Sequence, residues 1–160
     1  MKKTLLLILF AIMLFSGVSC TEKEEPSQDT IKAGQSVPEG LGLPVTDISF
    51  IAFFNSKCPD CQQEMPVIQE LYDKYCGALN FLVIGRDMTV QQIKDYFSEN
   101  DFYIPFQADP NRKIFDAFGG KCIPLCFLCK DGIIKNVWTD KPIMTVKDFE
   151  KNYIKISNIL

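Results

Sequence analysis

Apolar residues along this chain fall into blocks whose spacing changes from one block to the next. Residues 5–15 form an unbroken apolar run of eleven, preceded by Lys2 and Lys3. A membrane-spanning helix needs about 20 apolar residues, so this run has the length of a signal-peptide core. Residues 21–29 are polar and charged, without an apolar side chain to bury, and read as a tether. Residues 48–54 (Ile-Ser-Phe-Ile-Ala-Phe-Phe) are short, apolar and aromatic, the pattern of a buried strand. Over 59–75, Met65, Ile68, Leu71, Tyr72 and Tyr75 recur at spacings of three and four, which predicts a helix. Residues 78–85 predict a second buried strand around Leu79, Phe81, Leu82, Val83 and Ile84. Residues 89–97 predict a helix capped by Thr89, with Ile93, Tyr96 and Phe97 facing inward. A short helix is expected over 110–118, after Asp109. Strands at 125–129 and 133–138 flank Asp131-Gly132, a strong hairpin signal, and 145–156 closes the chain as an amphipathic helix. This order implies a parallel strand pair joined by a crossover helix and followed by an antiparallel hairpin. The fold class is therefore an α/β sandwich around a mixed sheet.

Composition narrows the chemistry. A length of 160 residues suits one domain plus a short extra segment, and 12% aromatic residues exclude wholesale disorder. The net charge of −3 argues against a nucleic-acid partner, which would want a basic face. With no histidine, a His-assisted triad and a His-bearing zinc or copper site are excluded; Gln62 after Cys61 excludes c-type haem attachment. Ser16-Gly17-Val18-Ser19-Cys20 resembles the lipobox of bacterial lipoproteins, with Gly17 standing where a Leu is usual. This reading makes 1–19 a lipoprotein-type signal peptide and Cys20 the lipidated residue; the alternative is a plain secretory peptide cut near Ser19. Either places the mature chain outside the cytoplasm, where thiol pairs can be oxidised. Removing 1–19 leaves 15 basic against 20 acidic side chains, a net charge of −5. The acidic stretch after Cys20 resembles surface-export signals of some Gram-negative lipoproteins. The expected location is thus a Gram-negative-type envelope, lipid-anchored on the periplasmic side or at the cell surface.

Cys58-Pro59-Asp60-Cys61 falls where the first strand ends and the first long helix begins. Two cysteines two residues apart in one helical turn can close a small disulfide ring. The first thiol then lies at a helix N-terminus, where free N–H groups and the macrodipole favour an anion. Pro59 suits the first helical position, where no N–H is wasted. Glu64, three residues after Cys61, shares its helical face; it could take a proton from the second thiol, or be a solvated surface glutamate. Lys57 favours the Cys58 thiolate and Asp60 opposes it. A bare C-x-x-C also serves structural disulfides and metal sites.

The stretch Phe53-Phe54-Asn55-Ser56-Lys57-Cys58-Pro59-Asp60-Cys61-Gln62-Gln63-Glu64-Met65-Pro66 resembles the thioredoxin superfamily, and within it the envelope-anchored TlpA/ResA-type thiol-disulfide oxidoreductases. The similarity continues at Cys122-Ile123-Pro124-Leu125-Cys126-Phe127-Leu128 and at Asp131-Gly132-Ile133, so it spans 45–160, with 20–44 left as the lipid-bearing Cys, tether and lead-in loop. The resemblance implies a thioredoxin-like three-layer sandwich, with a mixed sheet flanked by helices. It also implies a cis Ile123–Pro124 peptide that presents backbone to the substrate, a proton-transfer role for Glu64, and a helix kink at Pro66. No cofactor beyond a redox-active Cys58–Cys61 disulfide is implied, and no metal. The implied partners are protein thiol or disulfide substrates and a membrane electron donor, with the chain acting as a reductant.

The chain departs from the family in two places. Lys57 replaces the usual Trp, and Ala52 stands where many thioredoxins carry a buried Asp, which leaves proton transfer to Glu64. A peroxiredoxin-like peroxidase would want Thr or Ser at Asn55 and Pro at Ile51. A non-catalytic lipoprotein with a structural disulfide or a metal is the other alternative. Cys126 and Cys129 repeat the C-x-x-C spacing, but on a strand they point to opposite faces. Cys76, Cys126 and Cys129 read as small core residues, and Cys122 as a thiol near the rim of the site.

Overall fold

The computed structural model describes residues 29–157. The signal-peptide and lipidation readings, 1–19 and Cys20, lie outside the described residues. The elements run β1 (Ile48–Phe54), α1 (Pro59–Tyr75), β2 (Asn80–Arg86), α2 (Val90–Glu99), β3 (Phe106–Asp109), α3 (Lys113–Ala117), β4 (Leu125–Lys130), β5 (Ile133–Trp138) and α4 (Val146–Ser157). The sheet order is β3-β2-β1-β4-β5. β1, β2 and β3 are parallel; β4 runs antiparallel to β1, and β5 to β4.

Both faces of the sheet are covered, which is why β1 reads as continuously apolar rather than alternating. Phe50, Ala52 and Phe54 face α1, α2 and α4, in one core with Met65, Ile68, Ile93 and Phe149. Ile51 and Phe53 face the opposite side, with Ile114 and Phe115 of α3 and with Phe118 and Phe127. Phe53 packs edge-on against Phe115 and Phe118 at centroid distances of 5.4 and 5.2 Å. The result is the three-layer thioredoxin-like sandwich expected.

Local signals account for most boundaries. Cys58 is the N-cap of α1 and Pro59 its first residue. Thr89 caps α2 in a reciprocal capping box with Gln92. Asp131 and Gly132 take φ of 51° and 76°, the left-handed pair that a two-residue hairpin turn needs. Pro66 sits inside α1 and is exposed.

Two features depart from the pattern reading. The four-residue edge strand β3, with only Phe106 and Ala108 apolar, is not signalled by periodicity; its pairing with β2 creates it. The helix expected over 110–118 is shorter, because Pro110 to Arg112 form a turn in which Arg112 takes φ of 58°. Ahead of β1, Ile31 and Val37 are buried in the α3-side core. They are held there by Ile31 N–H to the Phe118 carbonyl (3.0 Å) and Val37 N–H to that of Gly132 (2.8 Å).

Candidate active site

Asn55 organises the loop that carries the first cysteine out of β1. Its side-chain oxygen accepts the Lys57 N–H (2.9 Å), and its amide nitrogen donates to the Arg86 carbonyl at the end of β2 (2.7 Å). The Asn55 carbonyl in turn accepts the Cys58 N–H at 3.0 Å. Cys58 is thereby held at the mouth of α1, half-buried. Its sulfur accepts the Cys61 N–H at 3.3 Å, and its S–H donates to the Ile123 carbonyl at 3.6 Å. The Ile123–Pro124 peptide is cis, and Pro124 is buried. Two segments 65 residues apart in sequence therefore meet at one sulfur.

The second thiol differs sharply. Cys61 is 1% exposed, and burial pushes it well above the ordinary thiol range, with the bond to Cys58 adding to the effect. It is a neutral thiol near pH 7. Glu64 is also 1% exposed, which removes the solvated-glutamate alternative. One carboxylate oxygen accepts the Met144 N–H (3.0 Å) and the other the Cys126 S–H (3.4 Å). Burial raises the carboxyl above the usual range, and these two donors act against the rise.

The other singled-out residues fall as follows. Lys57 and Pro59 are exposed, and Asp60 is half-buried in the first turn of α1. Cys122 is half-buried beside Ile123, and burial raises its thiol while the Asp140 backbone opposes the shift. Cys126 lies in the α1-side core, and Cys129 in the α3-side core, where burial alone pushes its thiol up to about 12. The two C-x-x-C pairs therefore do not converge. Cys76 corrects the sequence reading: it is exposed, not a small core residue. It caps the C-terminus of α1, where the helix ends and the chain turns to solvent.

Three contributors escaped the sequence reading. Asn55 could have been found, because Asn two residues before an N–H it can accept is a known turn signal. Tyr96 reads only as an inward aromatic, yet its ring stacks on Phe54 at 6.0 Å and its hydroxyl is electrostatically coupled to Cys61 and Cys58. Met144 contributes a backbone N–H from a distant loop, which no side-chain pattern announces. Beside the thiols a groove of about 570 Å³ runs between α1 and α2, bordered by Lys57, Gln62, Pro66, Asp95, Tyr96 and Phe102.

Residues 46–132 match the thioredoxin-like family. The chain is 26% identical over 149 residues to thiol-disulfide oxidoreductase ResA of Bacillus thuringiensis (strain Al Hakam), covering 82% of this chain and 86% of that one. The crystal structure of StoA from Bacillus subtilis superposes with a TM-score of 0.60 at 20% identity, over 67% of this chain and 82% of StoA. The thioredoxin domain of a thiol-disulfide oxidoreductase from Bacteroides vulgatus gives a TM-score of 0.66 at 14% identity, over 81% of this chain and all of that domain (100%). These two likenesses carry the fold. The chain belongs to the thioredoxin-like family and is a thiol-disulfide oxidoreductase within it.

Proposed function

We propose that this chain reduces disulfides in protein substrates outside the cytoplasm, using Cys58 as nucleophile and Cys61 as resolving thiol. The observation that carries this reading is the asymmetry of the pair: Cys58 is reachable and bonded between a backbone N–H and the Ile123 carbonyl, while Cys61 is buried on the same helical face as Glu64. The Cys58 thiolate attacks one sulfur of the substrate disulfide, forming a mixed disulfide and releasing one substrate thiolate. Glu64 takes the Cys61 proton, the Cys61 sulfur attacks that of Cys58, and the second substrate thiolate departs. The substrate gains two electrons, and the enzyme is left as a Cys58–Cys61 disulfide. A membrane-bound dithiol donor then restores the pair.

Ile123 and Pro124 form the surface against which the substrate strand lies, with Ile123 offering its carbonyl. Lys57, Pro59 and Asp60 set the electrostatics and backbone of the attacking sulfur. Lipidation at Cys20 would tether the domain to the membrane through the polar 21–29 segment. Among the described residues no helix is long and apolar enough to cross a membrane.

Insulin reduction at neutral pH tests the reading. The wild-type chain should turn over, Cys58→Ser should be inactive, and Cys61→Ser should accumulate the mixed disulfide. Turnover no faster than Cys58→Ser would assign the pair a structural role. The reductive direction requires a potential nearer thioredoxin's, about −270 mV, than DsbA's, about −120 mV; a value at the oxidising end would reverse the direction.

A further inference from the structure

Among the described residues, Cys126 and Cys129 are buried thiols that the exchange reaction above leaves without a part, and of the two Cys126 lies on the side of the thiol pair. It lies on β4, two residues after Pro124 and paired with Ala52 of β1, and is 1% exposed. Strand alternation turns it toward α1, where its sulfur is 3.4 Å from Glu64 Oε2. A buried carboxylate has two oxygens to satisfy, and at 1% exposure Glu64 must find their donors within the protein. Oε1 is served by the Met144 N–H at 3.0 Å, so Cys126 is the donor that completes the pair. A Val side chain at this position would occupy the core without a donor and leave Oε2 without a partner. Burial and the neighbouring carboxyl keep the Cys126 sulfur protonated, so it serves only as a donor.

We propose that Cys126 is a positioning residue of the exchange reaction: its S–H holds the Glu64 carboxylate ionised and oriented to receive the Cys61 proton. The proposal rests on the reading of Glu64 as proton acceptor given above. In the resolving step the Cys61 proton passes to Glu64, and the freed electron pair forms the Cys61–Cys58 bond as the Cys58–substrate bond breaks. The departing substrate sulfur carries away the negative charge and is later protonated. Cys126 is neither oxidised nor reduced and keeps its own proton throughout. The titratable groups that face this carboxyl are Cys61 on its own helix and Cys126 on β4. The loop before α4 offers the Met144 N–H, and on α2 the Tyr96 hydroxyl, raised chiefly by burial, also feels the Cys61 and Cys58 thiols.

The test is the pH profile of the resolving step, followed by single turnover with a model disulfide. Cys126→Ala should move the acid limb of the step up by about one pH unit, so that the step slows by up to about tenfold on the acid side of the limb, the effect of one lost hydrogen bond. Cys126→Val, which fills the space without a donor, should do the same and guards against a cavity effect. Cys126→Ser, whose O–H donates to the same oxygen, should restore the wild-type profile. Glu64→Gln should abolish the limb, and adding Cys126→Ala to it should change nothing further. If folded Cys126→Ala and Cys126→Val keep the wild-type limb while Glu64→Gln loses it, the proposal for Cys126 fails and Glu64 stands. If Glu64→Gln keeps the limb, the Glu64 reading fails and takes the proposal with it. An infrared readout on wild-type protein is independent of turnover: the Cys126 S–H band should move to lower frequency as Glu64 ionises, and a stationary band overturns the proposal.

Discussion

Glu64 sits where a carboxylate is least comfortable, and the position has a consequence for stability as well as for chemistry. Burial raises its folded-state proton affinity above that of the unfolded chain. Such a group favours the folded state while protonated, so stability is highest below the ordinary glutamate value of about 4.3 and declines as pH rises toward the folded-state value. Glu64→Gln removes that decline. Denaturant midpoints measured between about pH 4 and pH 7 should fall for the wild type and stay level for the variant. Parallel curves would mean that the carboxyl ionises as freely folded as unfolded. At this scale the sequence exposed the thiol pair and the helical face shared by Cys61 and Glu64. It left open whether that face pointed to water, because neighbours from β4 and the loop before α4 are 62 and 80 residues away.

Among the elements, α3 shows how a short helix is held where propensity alone would not hold it. It has five residues, well below the length at which an isolated helix persists. Asp109, at the end of β3 and 3% exposed, accepts the Ile114 N–H at 3.1 Å and the Phe115 N–H at 2.9 Å. Asp109→Ala leaves two buried donors without partners and should cost about 2–3 kcal/mol in denaturant unfolding; Asp109→Asn, with one oxygen left, should cost less. An alanine variant as stable as wild type would show that the turn, not the carboxylate, anchors the helix. The Thr89 cap of α2 and the turn of the β4–β5 hairpin were legible because their signals are local. The edge strand β3 was not, since four residues with two apolar side chains acquire strand geometry only from the partner beside them.

For the molecule as a whole, the sheet works as a partition. α1, α2 and α4 press the side that carries the thiol pair, and α3 with the segment carrying Ile31 and Val37 seals the other. That segment also bridges to the hairpin, through Gly34 N–H to the Ile134 carbonyl at 2.8 Å and the Ile134 N–H to the Gln35 carbonyl at 2.9 Å. Ile31→Ala should therefore lower stability by about 2–4 kcal/mol without altering the exchange rate of the folded protein. A loss below about 0.5 kcal/mol, typical of surface sites, would show that the segment only rests on the domain.

The chain alone determined the alternation of strands and helices and the place of the thiol pair at a strand–helix junction. Periodicity and capping act over a few residues, so they can be read without knowing what packs against what. Tertiary structure decided which thiol is reachable, which is buried, and where Glu64 finds its donors. Burial and pairing at Cys61, Glu64 and Cys126 depend on segments distant in sequence converging on one small volume, and that convergence is a property of the folded chain.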